Sequence, residues 1–316
     1  MAEHRWISAH LCYQGDQDLM LTRVVAPLSG ELFFLRHWEG GPHVRLRVRA
    51  DSHQADHVRS VISQSAEAFF RDRPSADTMS AEEYAEIAPR LAAAEQLPTF
   101  EPVLRPNNSV HFVDYRPDTA RYGSGPALAA VEQHLMSASE LALDLIAQGR
   151  TAGRRAMDAF AMLAAVRTLF TDILPELAYQ ARFVAEGRGG VAESLDAPEF
   201  QAHYAANRQQ LCDRLTTVWA IARGEGAASH GPITAWLASI RELHGTLVAL
   251  DERGELDARP EVDAPAEVLG HINHVVPQLI LEHCAHLMCN RLGLTQVQEF
   301  HLRALLVRTA FDLCAV

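Results

Sequence analysis

Hydrophobic periodicity changes once along this 316-residue chain, and that change constrains the fold more than any other feature of the sequence. Up to residue 115, short stretches with apolar residues at every second position alternate with stretches of helical spacing. After residue 126, every apolar stripe repeats with helical spacing. The order of the early segments, β-α-β-β-α-β, is that of a ferredoxin-like split βαβ unit. We therefore predict an α+β protein, in which a small ferredoxin-like antiparallel or mixed sheet is followed by helices.

Turn residues and helix-capping patterns delimit the predicted elements. The strands are expected at residues 6–13, 32–38, 43–49 and 109–115, with helices at 16–28, 53–70 and 80–94. Ser80 and Glu83 form a capping box at the start of the third helix. Further helices are expected at 126–148, 151–179, 198–223, 232–250, 265–292 and 295–315. We expect a sheet sub-domain at 1–120 and a helical sub-domain at 121–316, packed as one catalytic unit.

The charged residues narrow the range of ligands. The chain has 28 basic and 40 acidic residues, a formal net charge of −12, so general electrostatic attraction to nucleic acid is not expected. It contains no lysine, so every basic residue is an arginine. An anion site in this protein must therefore be built from arginine, histidine or backbone N–H groups.

The sequence lacks the signals of secreted and membrane proteins. Its first residues do not show the basic and then apolar pattern of a secretion signal. Arg167 and Glu282 interrupt the most apolar stretches before they reach the length of a membrane span. The five cysteines are odd in number and scattered, which disfavours a disulfide framework in a chain of this size. We expect a cytoplasmic protein.

Residues 43–49 give the sharpest local pattern. His43, Arg45 and Arg47 alternate with apolar residues, so both guanidinium groups lie on one strand face, about 7 Å apart. Two guanidinium groups on one face require anions or open water. The simpler interpretation is the solvated outer face of an edge strand. Against it, His43 and Arg36 lie nearby across a turn, which concentrates positive charge in an otherwise acidic protein.

Residues 115–125 form a glycine-rich segment between a predicted strand and a predicted helix. Its backbone N–H groups could hold an anion. The segment has neither a Walker lysine nor a G-x-G-x-x-G pattern, so nucleotide binding is weakly supported. The alternative is a linker between sub-domains, with Pro126 as the first helical residue.

A polar face interrupts the apolar helix predicted at 265–292. His286 and Asn290 are four residues apart and His283 and Asn290 are seven apart, so the three share one side of the helix. This pattern fits either a buried, hydrogen-bonded histidine or a histidine that acts as general acid or base. Zinc is disfavoured, because the spacing matches neither H-E-x-x-H nor a paired C-x-x-C motif. The candidate zinc ligands would be His283, His286 and Cys289, with His271 and His274 upstream.

Taken in order, these segments resemble the C-terminal elimination domain of class I lanthipeptide dehydratases, in the stand-alone form found in thiopeptide gene clusters. The resemblance begins at Trp6 and continues through residues 34–47. It includes the Tyr-x-Pro-acid-x-x-Arg-Tyr-Gly run at 115–123, the helix containing Glu132, and the motif His286-x-x-x-Asn290. Four motifs in the order of the family, over nearly the whole chain, are more specific than any one of them.

The resemblance implies an enzyme that eliminates glutamate from glutamylated Ser or Thr of a ribosomal precursor peptide, which leaves dehydroalanine or dehydrobutyrine. A separate tRNA-dependent subunit would add the glutamate, so this chain would bind the precursor peptide with its leader, and no nucleic acid or membrane. The elimination takes a proton from Cα and expels a carboxylate, so it needs a base and cationic hydrogen bonds. No cofactor or metal is implied, and a homodimer is compatible with the family.

The resemblance also assigns residues, motif by motif. The strand arginines of the family fall on Arg45 and Arg47, its arginine before Tyr-Gly on Arg121, and its helix histidine on His286. These four are expected to be catalytic and to converge around one leaving group. The expected substrate-binding residues lie in the same motifs: His43, Arg36, Tyr122, His283 and Asn290.

Three departures from the family pattern keep other functions open. The usual Arg-Tyr-Gly-Gly reads Arg-Tyr-Gly-Ser-Gly, Asp118 replaces a common Glu, and Ala138-Ser139 replaces a frequent Asp-Ser. The same superfamily includes thiopeptide pyridine synthases, which perform a formal 4+2 aza-cycloaddition on a dehydrated peptide and release its leader. The arginine and histidine set, and the absence of Ser and Tyr between Gly270 and Leu294, favour elimination. A third alternative is a peptide-binding protein without catalysis.

Overall fold

The computed structural model describes residues 4–28, 30–94, 97, 99–170, 197–225, 231–260 and 273–314. The chain divides into two compact units. Unit 1 comprises Met1–Pro117 and Leu135–Gly149, and unit 2 comprises Asp118–His134 and Arg150–Val316.

Unit 1 is built on a four-stranded antiparallel sheet. Its strands are β1 (His4–Cys12), β2 (Leu32–His37), β3 (His43–Asp51) and β4 (Ser109–Val113). They lie in the order β2-β3-β1-β4, so β1 and β3 are central strands. This order, with helices between β1 and β2 and between β3 and β4, confirms the predicted ferredoxin-like α+β arrangement.

The helices of unit 1 occupy the predicted segments. They are α1 (Gln17–Met20, continued by a π-helix at Leu21–Val25), α2 (Ala55–Asp72) and α3 (Ala81–Ala94). The capping box predicted before α3 is confirmed. The carboxylate of Glu83 accepts the backbone N–H of Ser80 at 2.7 Å, and the hydroxyl of Ser80 accepts the N–H of Glu83 at 3.1 Å.

The two faces of the sheet differ in chemistry, because alternate residues of a strand point to opposite sides. Arg59 of α2 lies over the ring of Phe112, which shows that α2 covers the apolar face. The buried residues of this face include Ile7, Ala9, Leu11, Val44, Leu46 and Val48. Apolar burial against α2 therefore fixes the register of the strands, and His10 of β1 and the histidine and arginines of β3 lie on the opposite face together with the aromatic rings of Trp6 and Phe33.

The edge strand β2 is secured by helix α5 (Gly125–Ala147). The fully buried hydroxyl of Ser139 accepts a hydrogen bond from the backbone N–H of Phe34 at 3.1 Å and donates to the carbonyl of Leu135 at 2.8 Å. Unpaired N–H groups of an edge strand can otherwise pair with another chain. Ser139 therefore ties α5 to the sheet.

Unit 2 is helical in its described residues. Its helices are α4 (Thr119–Tyr122), the start of α5, α6 (Ala152–Arg167), α7 (Pro198–Ala222), α8 (Pro232–Glu252), α9 (Val275–Arg291) and α10 (Gln296–Cys314). The central helix is α6, which packs against α7, α8, α9 and α10. All residues from 158 to 167 are buried, as expected for a helix enclosed by others.

The two charged residues in the buried run of α6 have ionic partners. Asp158 pairs with Arg150 and with Arg214, the latter at 3.2 Å. Arg167 pairs with Glu282 of α9 at 3.0 Å between Nε and Oε1. Buried charges persist in proteins when they are paired in this way.

The predicted helices agree with the observed ones where the structure describes them. The helices expected at 151–179 and 265–292 are described as Ala152–Arg167 and Val275–Arg291. The parts of those predictions that fall in 171–196 and 261–272 lie outside the described residues. Among the described helices, none is long and apolar enough to cross a lipid bilayer.

The described cysteines are free thiols: Cys12, Cys212, Cys284 and Cys289. Burial raises the pKa of Cys284 to about 12 and also raises the pKa of Cys289. A buried thiol of this kind does not supply a thiolate nucleophile near neutral pH.

Replacement of Ser139 by Ala removes the acceptor of the Phe34 N–H and leaves this buried donor unsatisfied. We expect the free energy of unfolding to fall by about 1–3 kcal/mol, the usual cost of an unpaired buried polar group. Urea unfolding followed by circular dichroism measures this difference. Ser60→Ala is the matched control, because Ser60 is an exposed serine of α2 in the same unit. Equal stability of the two variants would contradict this role of Ser139.

Candidate functional site

The polar face of the sheet brings together five side chains of β1, β2 and β3. His43, Arg45 and Arg47 lie on this face of β3, as the alternation predicts. Arg45 is opposite His10 of β1, and His43 is opposite His37 of β2. The ring centres of His10 and His43 are 4.5 Å apart, and those of His37 and His43 are 5.6 Å apart. We refer to these five residues as the sheet cluster.

The sheet cluster is not the solvated face of an edge strand. That simpler interpretation is wrong, because β3 lies between β2 and β1. Arg45 is largely buried, and its Nη2 lies 2.5 Å from Oε2 of Glu39. His43 is fully buried, and its Nδ1–H donates to the carbonyl of Gly41 at 2.8 Å. Since a carbonyl oxygen only accepts, Nδ1 of His43 carries the proton.

The histidines of the sheet cluster are neutral. Burial, with the nearby charges, lowers the pKa of His10 and of His37 to about 2, and that of His43 to about 3. The hydrogen bonds agree with this state. Nδ1 of His37 accepts the backbone N–H of Glu39 at 3.1 Å, and Nδ1 of His10 lies 3.3 Å from Nη1 of Arg105. Arginines therefore carry the positive charge of the sheet cluster.

Arg36 does not join the other predicted residues. It is opposite Val44 in the β2–β3 register, so it lies on the face covered by α2. There its Nη2 is 2.5 Å from Oδ1 of Asp18. The expectation that Arg36 and His43 add positive charge beside Arg45 is therefore wrong, because Arg36 is on the other face and His43 is neutral.

Arg47 differs from the other three arginines of β2 and β3, each of which pairs with a carboxylate. Within the described residues, no carboxylate lies within salt-bridge distance of Arg47. Its Nη1 donates to a backbone carbonyl at 3.1 Å, and its guanidinium lies 5.7 Å from the ring centre of Tyr115. Burial, and then repulsion from Arg45, lower the pKa of Arg47 to about 10, so it stays protonated at neutral pH. An unneutralised guanidinium of this kind is suited to bind an anion.

In unit 2, the short helix α4 places Arg121 beside a histidine of α9. Nε of Arg121 is 3.1 Å from Oδ2 of Asp118, the N-cap of α4, and Nη1 is 3.4 Å from Nδ1 of His283. The next residue, Tyr122, is buried, with its ring centre 5.8 Å from that of His283. Burial raises the pKa of Tyr122 well above its usual value, so its hydroxyl remains protonated.

The polar face predicted for α9 is present. The ring centres of His283 and His286 are 5.6 Å apart, and Asn290 follows one turn later, half-buried. Burial, and then Arg121, lower the pKa of His283 well below its usual value, so this ring is neutral. His286 is more accessible, with 40% of its side chain exposed, and its Nδ1 lies 2.6 Å from Oε2 of Glu299 in α10.

A buried network of ion pairs lies behind His286. Glu299 is also bound through Oε1 by Nε of Arg303 at 2.9 Å. Nη1 of Arg303 lies 2.7 Å from Oε2 of Glu282, whose other oxygen pairs with Arg167 of α6. Burial opposes the ionisation of Glu299, but hydrogen bonds from His286 and Arg303 hold its pKa below the usual value. His286, Glu299 and Arg303 are connected through His283 to Arg121. We refer to these five residues as the helix cluster.

This arrangement leaves one nitrogen of His286 available for chemistry. An ionised carboxylate only accepts hydrogen bonds, so Nδ1 of His286 donates to Glu299 and Nε2 carries the lone pair. Nε2 of this partly exposed ring can accept a proton, and the carboxylate on the other side of the ring stabilises the imidazolium that forms. The helix cluster can therefore act as a general base.

The glycine-rich segment at 115–125 holds an anion that belongs to the protein itself. The N–H and hydroxyl groups of Ser124 donate to the carboxylate of Asp257 at 2.8 and 2.6 Å. Gly123 has a φ of +77°, and a Cβ atom there would lie 2.6 Å from Oδ1 of Asp257. The carboxylate of Asp257 therefore occupies the backbone N–H of Ser124, which the first interpretation of this segment left for an external anion.

The described residues give no support to a metal site. Within them, no group of three or more His, Cys, Asp or Glu side chains is placed to hold a metal ion. Of the upstream candidates, His274 pairs with Asp251 at 2.8 Å, and His271 lies outside the described residues.

Comparison with known proteins identifies the family. The chain matches the family described as Lantibiotic biosynthesis dehydratase C-term over residues 6–310, nearly its whole length, and so belongs to that family. Membership places it among the proteins of ribosomal-peptide biosynthesis. A comparison with curated protein sequences found no match to this chain.

Solved structures share the fold. The chain is similar to "Pyridine synthase, TbtD, from thiomuracin biosynthesis", with a TM-score of 0.79, 23% identity, and 98% and 99% of the two chains covered. TsrL has a TM-score of 0.65 and 16% identity, with 100% of this chain and 96% of TsrL covered. The tRNA-dependent lantibiotic dehydratase MibB from Microbispora sp. 107891 has a TM-score of 0.52 and 17% identity. That match covers 98% of this chain but 28% of MibB.

Sequence reasoning missed the acidic and basic residues that support His286. Glu299 and Arg303 are four residues apart on α10, a spacing that by itself indicates a surface ion pair. Their contact with His286 joins residues on two helices, and no linear pattern reports such a contact. Arg105 and His10 of unit 1 were missed for the same reason, since they are 95 residues apart in the sequence.

Gly123→Ala is expected to destabilise the protein, because Ala is strained at this φ and its Cβ would meet Asp257. The loss in the free energy of unfolding should be at least about 1 kcal/mol. Gly245→Ala is the control, since Gly245 lies within α8 and a Cβ there meets nothing within 4 Å. That change should stabilise by up to about 1 kcal/mol. Chemical unfolding measures the change in the free energy of unfolding for each variant. Changes of the same sign in both variants would contradict this role of Gly123.

Proposed function

We propose that this protein eliminates glutamate from glutamylated Ser or Thr residues of a ribosomal precursor peptide, which gives dehydroalanine or dehydrobutyrine. Family membership supports a role in ribosomal-peptide modification. The observation that supports glutamate elimination in particular is the orientation of His286. Glu299 binds its Nδ1, and the side chain is partly exposed, so Nε2 is available as a base. The proposed catalytic residues remain those expected from the resemblance: Arg45, Arg47, Arg121 and His286.

The proposed reaction is a carbon–oxygen lyase reaction. Nε2 of His286 takes the proton from Cα of the glutamylated residue. The electron pair left on Cα forms the Cα=Cβ double bond, and the Cβ–O bond breaks. Glutamate leaves as a carboxylate, which keeps the electron pair of that bond. Glu299 stabilises the imidazolium until the proton is lost to solvent.

Arginines suit the negative charges of this reaction, because a guanidinium stays charged and binds a carboxylate with two hydrogen bonds. Arg121 contacts His283 in the helix cluster and is the proposed stabiliser of the enolate that develops at Cα. Arg47 has no carboxylate partner among the described residues and is proposed to bind the leaving carboxylate. Arg45, two residues away on the same face and paired with Glu39, is proposed to act beside Arg47 in contacting the substrate.

The other residues predicted to bind substrate differ in how deeply they are buried. His283 and Asn290 are partly accessible and remain candidates for substrate contact. His43 and Tyr122 are buried, so we propose that they support the neighbouring arginines. The partners of the proposal are a precursor peptide with its leader and a separate tRNA-dependent glutamylation subunit. Its proposed location is the cytoplasm.

Incubation of the purified protein with a glutamylated precursor peptide tests the proposal. We expect release of glutamate and a peptide that loses the corresponding mass. His286→Gln should slow this release by about 100-fold or more because the base is lost. Arg47→Gln should slow glutamate release by about 100-fold, because the positive charge that stabilises the leaving carboxylate is lost. Mass spectrometry would then show glutamylated peptide accumulating.

Two matched controls separate this role from structural damage. His274→Gln removes the histidine of a different histidine–carboxylate pair in unit 2, and Arg49→Gln removes an arginine of β3 that pairs with Glu31. Both controls should release glutamate at nearly the rate of the unmodified protein. Full activity of His286→Gln and Arg47→Gln would rule out the assignment.

A pyridine synthase is the second candidate, favoured by the superposition with TbtD over nearly the full length of both chains. Such an enzyme consumes dehydroalanine, whereas the proposed lyase produces it. A dehydroalanine-containing, azole-bearing peptide should then give a leader fragment and a macrocycle, while glutamylated peptide stays unchanged. If the protein retains either peptide in a pull-down but converts neither, it is a binding protein.

A further inference from the structure

The start of α10 fixes the position of Glu299 opposite His286. Thr295 and Gln298 form a capping box, in which each side chain accepts the backbone N–H of the other residue at 2.8 and 3.2 Å. The backbone N–H of Glu299 then bonds the carbonyl of Thr295 at 3.0 Å. Glu299 therefore lies in the first helical turn, where the helix dipole favours a negative charge.

Both oxygens of the Glu299 carboxylate are occupied by donors. Oε2 accepts from Nδ1 of His286 at 2.6 Å, and Oε1 accepts from Nε of Arg303 at 2.9 Å. Arg303 is held in turn by Glu282 at 2.7 Å, and Glu282 by Arg167 in the buried run of α6. Each member of this series neutralises its neighbour, so Glu299 can remain a buried anion in one orientation.

We infer that Glu299 is a positioning residue that determines which nitrogen of His286 acts as the base. Its carboxylate keeps the proton of the neutral ring on Nδ1, so the lone pair is on the accessible Nε2. Arg303 holds Glu299 in this orientation from the other side. The kinetic consequence rests on the proposed function, but the position of the proton is a property of the protein alone.

Glu299→Gln tests this inference sharply, because an amide has one oxygen and one NH₂ group where the carboxylate has two acceptors. Arg303 only donates, and hydrogen bonds to charged groups are the stronger ones, so the amide oxygen should face Arg303. The NH₂ group then faces Nδ1 of His286, which must accept. The neutral ring should therefore move its proton to Nε2. Glu299→Asp keeps two acceptors and should retain the proton on Nδ1.

The measurement is two-dimensional ¹H–¹⁵N NMR of the histidine rings at neutral pH, on the full chain without peptide. The unmodified protein and Glu299→Asp should show His286 with its proton on Nδ1, and Glu299→Gln should show it on Nε2. His274, which pairs with Asp251, is the internal reference and should keep one state throughout. The inference is overturned if His286 in the unmodified protein carries its proton on Nε2, or if Glu299→Gln leaves it on Nδ1.

Kinetics gives a second readout. Glu299→Gln should lower kcat for glutamate release by about 100-fold with little change in KM, because the base has the wrong tautomer. Glu299→Asp should recover part of that loss. Asp158→Asn is the control for removal of a buried carboxylate held by two arginines, and its kcat should stay near that of the unmodified protein. The NMR result can hold even if neither the unmodified protein nor any variant releases glutamate. In that case the proposed reaction is wrong, but Glu299 still determines the tautomer of His286.

Discussion

The hydrogen bond between the buried Glu299 and the accessible His286 is the contact on which the proposed chemistry depends. It sets the tautomer of the ring, and it places a negative charge where an imidazolium would form. The bond is anchored in the core, because Arg303 and Glu282 connect Glu299 to Arg167. Arg167 belongs to α6, the helix around which unit 2 packs. The packing of unit 2 and the orientation of the base therefore depend on the same side chains.

In unit 1, the histidines of the sheet cluster provide hydrogen bonds and the arginines provide charge. Burial keeps His10, His37 and His43 neutral, so these rings contribute shape and hydrogen bonds but no charge. The charge comes from arginines, and most of those on β2 and β3 are neutralised by a carboxylate. Arg47 keeps its charge without such a partner among the described residues, which is costly in a partly buried position unless an anion binds there. We therefore propose that this side chain binds the leaving carboxylate.

The sequence predicts the fold better than it predicts the site. Period-two alternation and a change to helical spacing were sufficient for the four strands, their ferredoxin-like order and most helices. The alternation in 43–49 also placed Arg45 and Arg47 on one face correctly, but it could not distinguish an edge strand from a central one. Arg36 was misplaced because proximity across a turn does not specify the face. Glu299 was missed because its partner His286 is on another helix, and contacts between helices leave no periodic signal.

The most direct test of the account is a double-mutant cycle in glutamate release between His286→Gln and Glu299→Gln. If Glu299 acts only through His286, its substitution should have no further effect once the imidazole is gone. The double variant should then release glutamate at the rate of His286→Gln alone. If Glu299→Gln lowers the rate by the same factor with and without His286, the two residues act independently, and the account of a base oriented by a buried carboxylate is wrong.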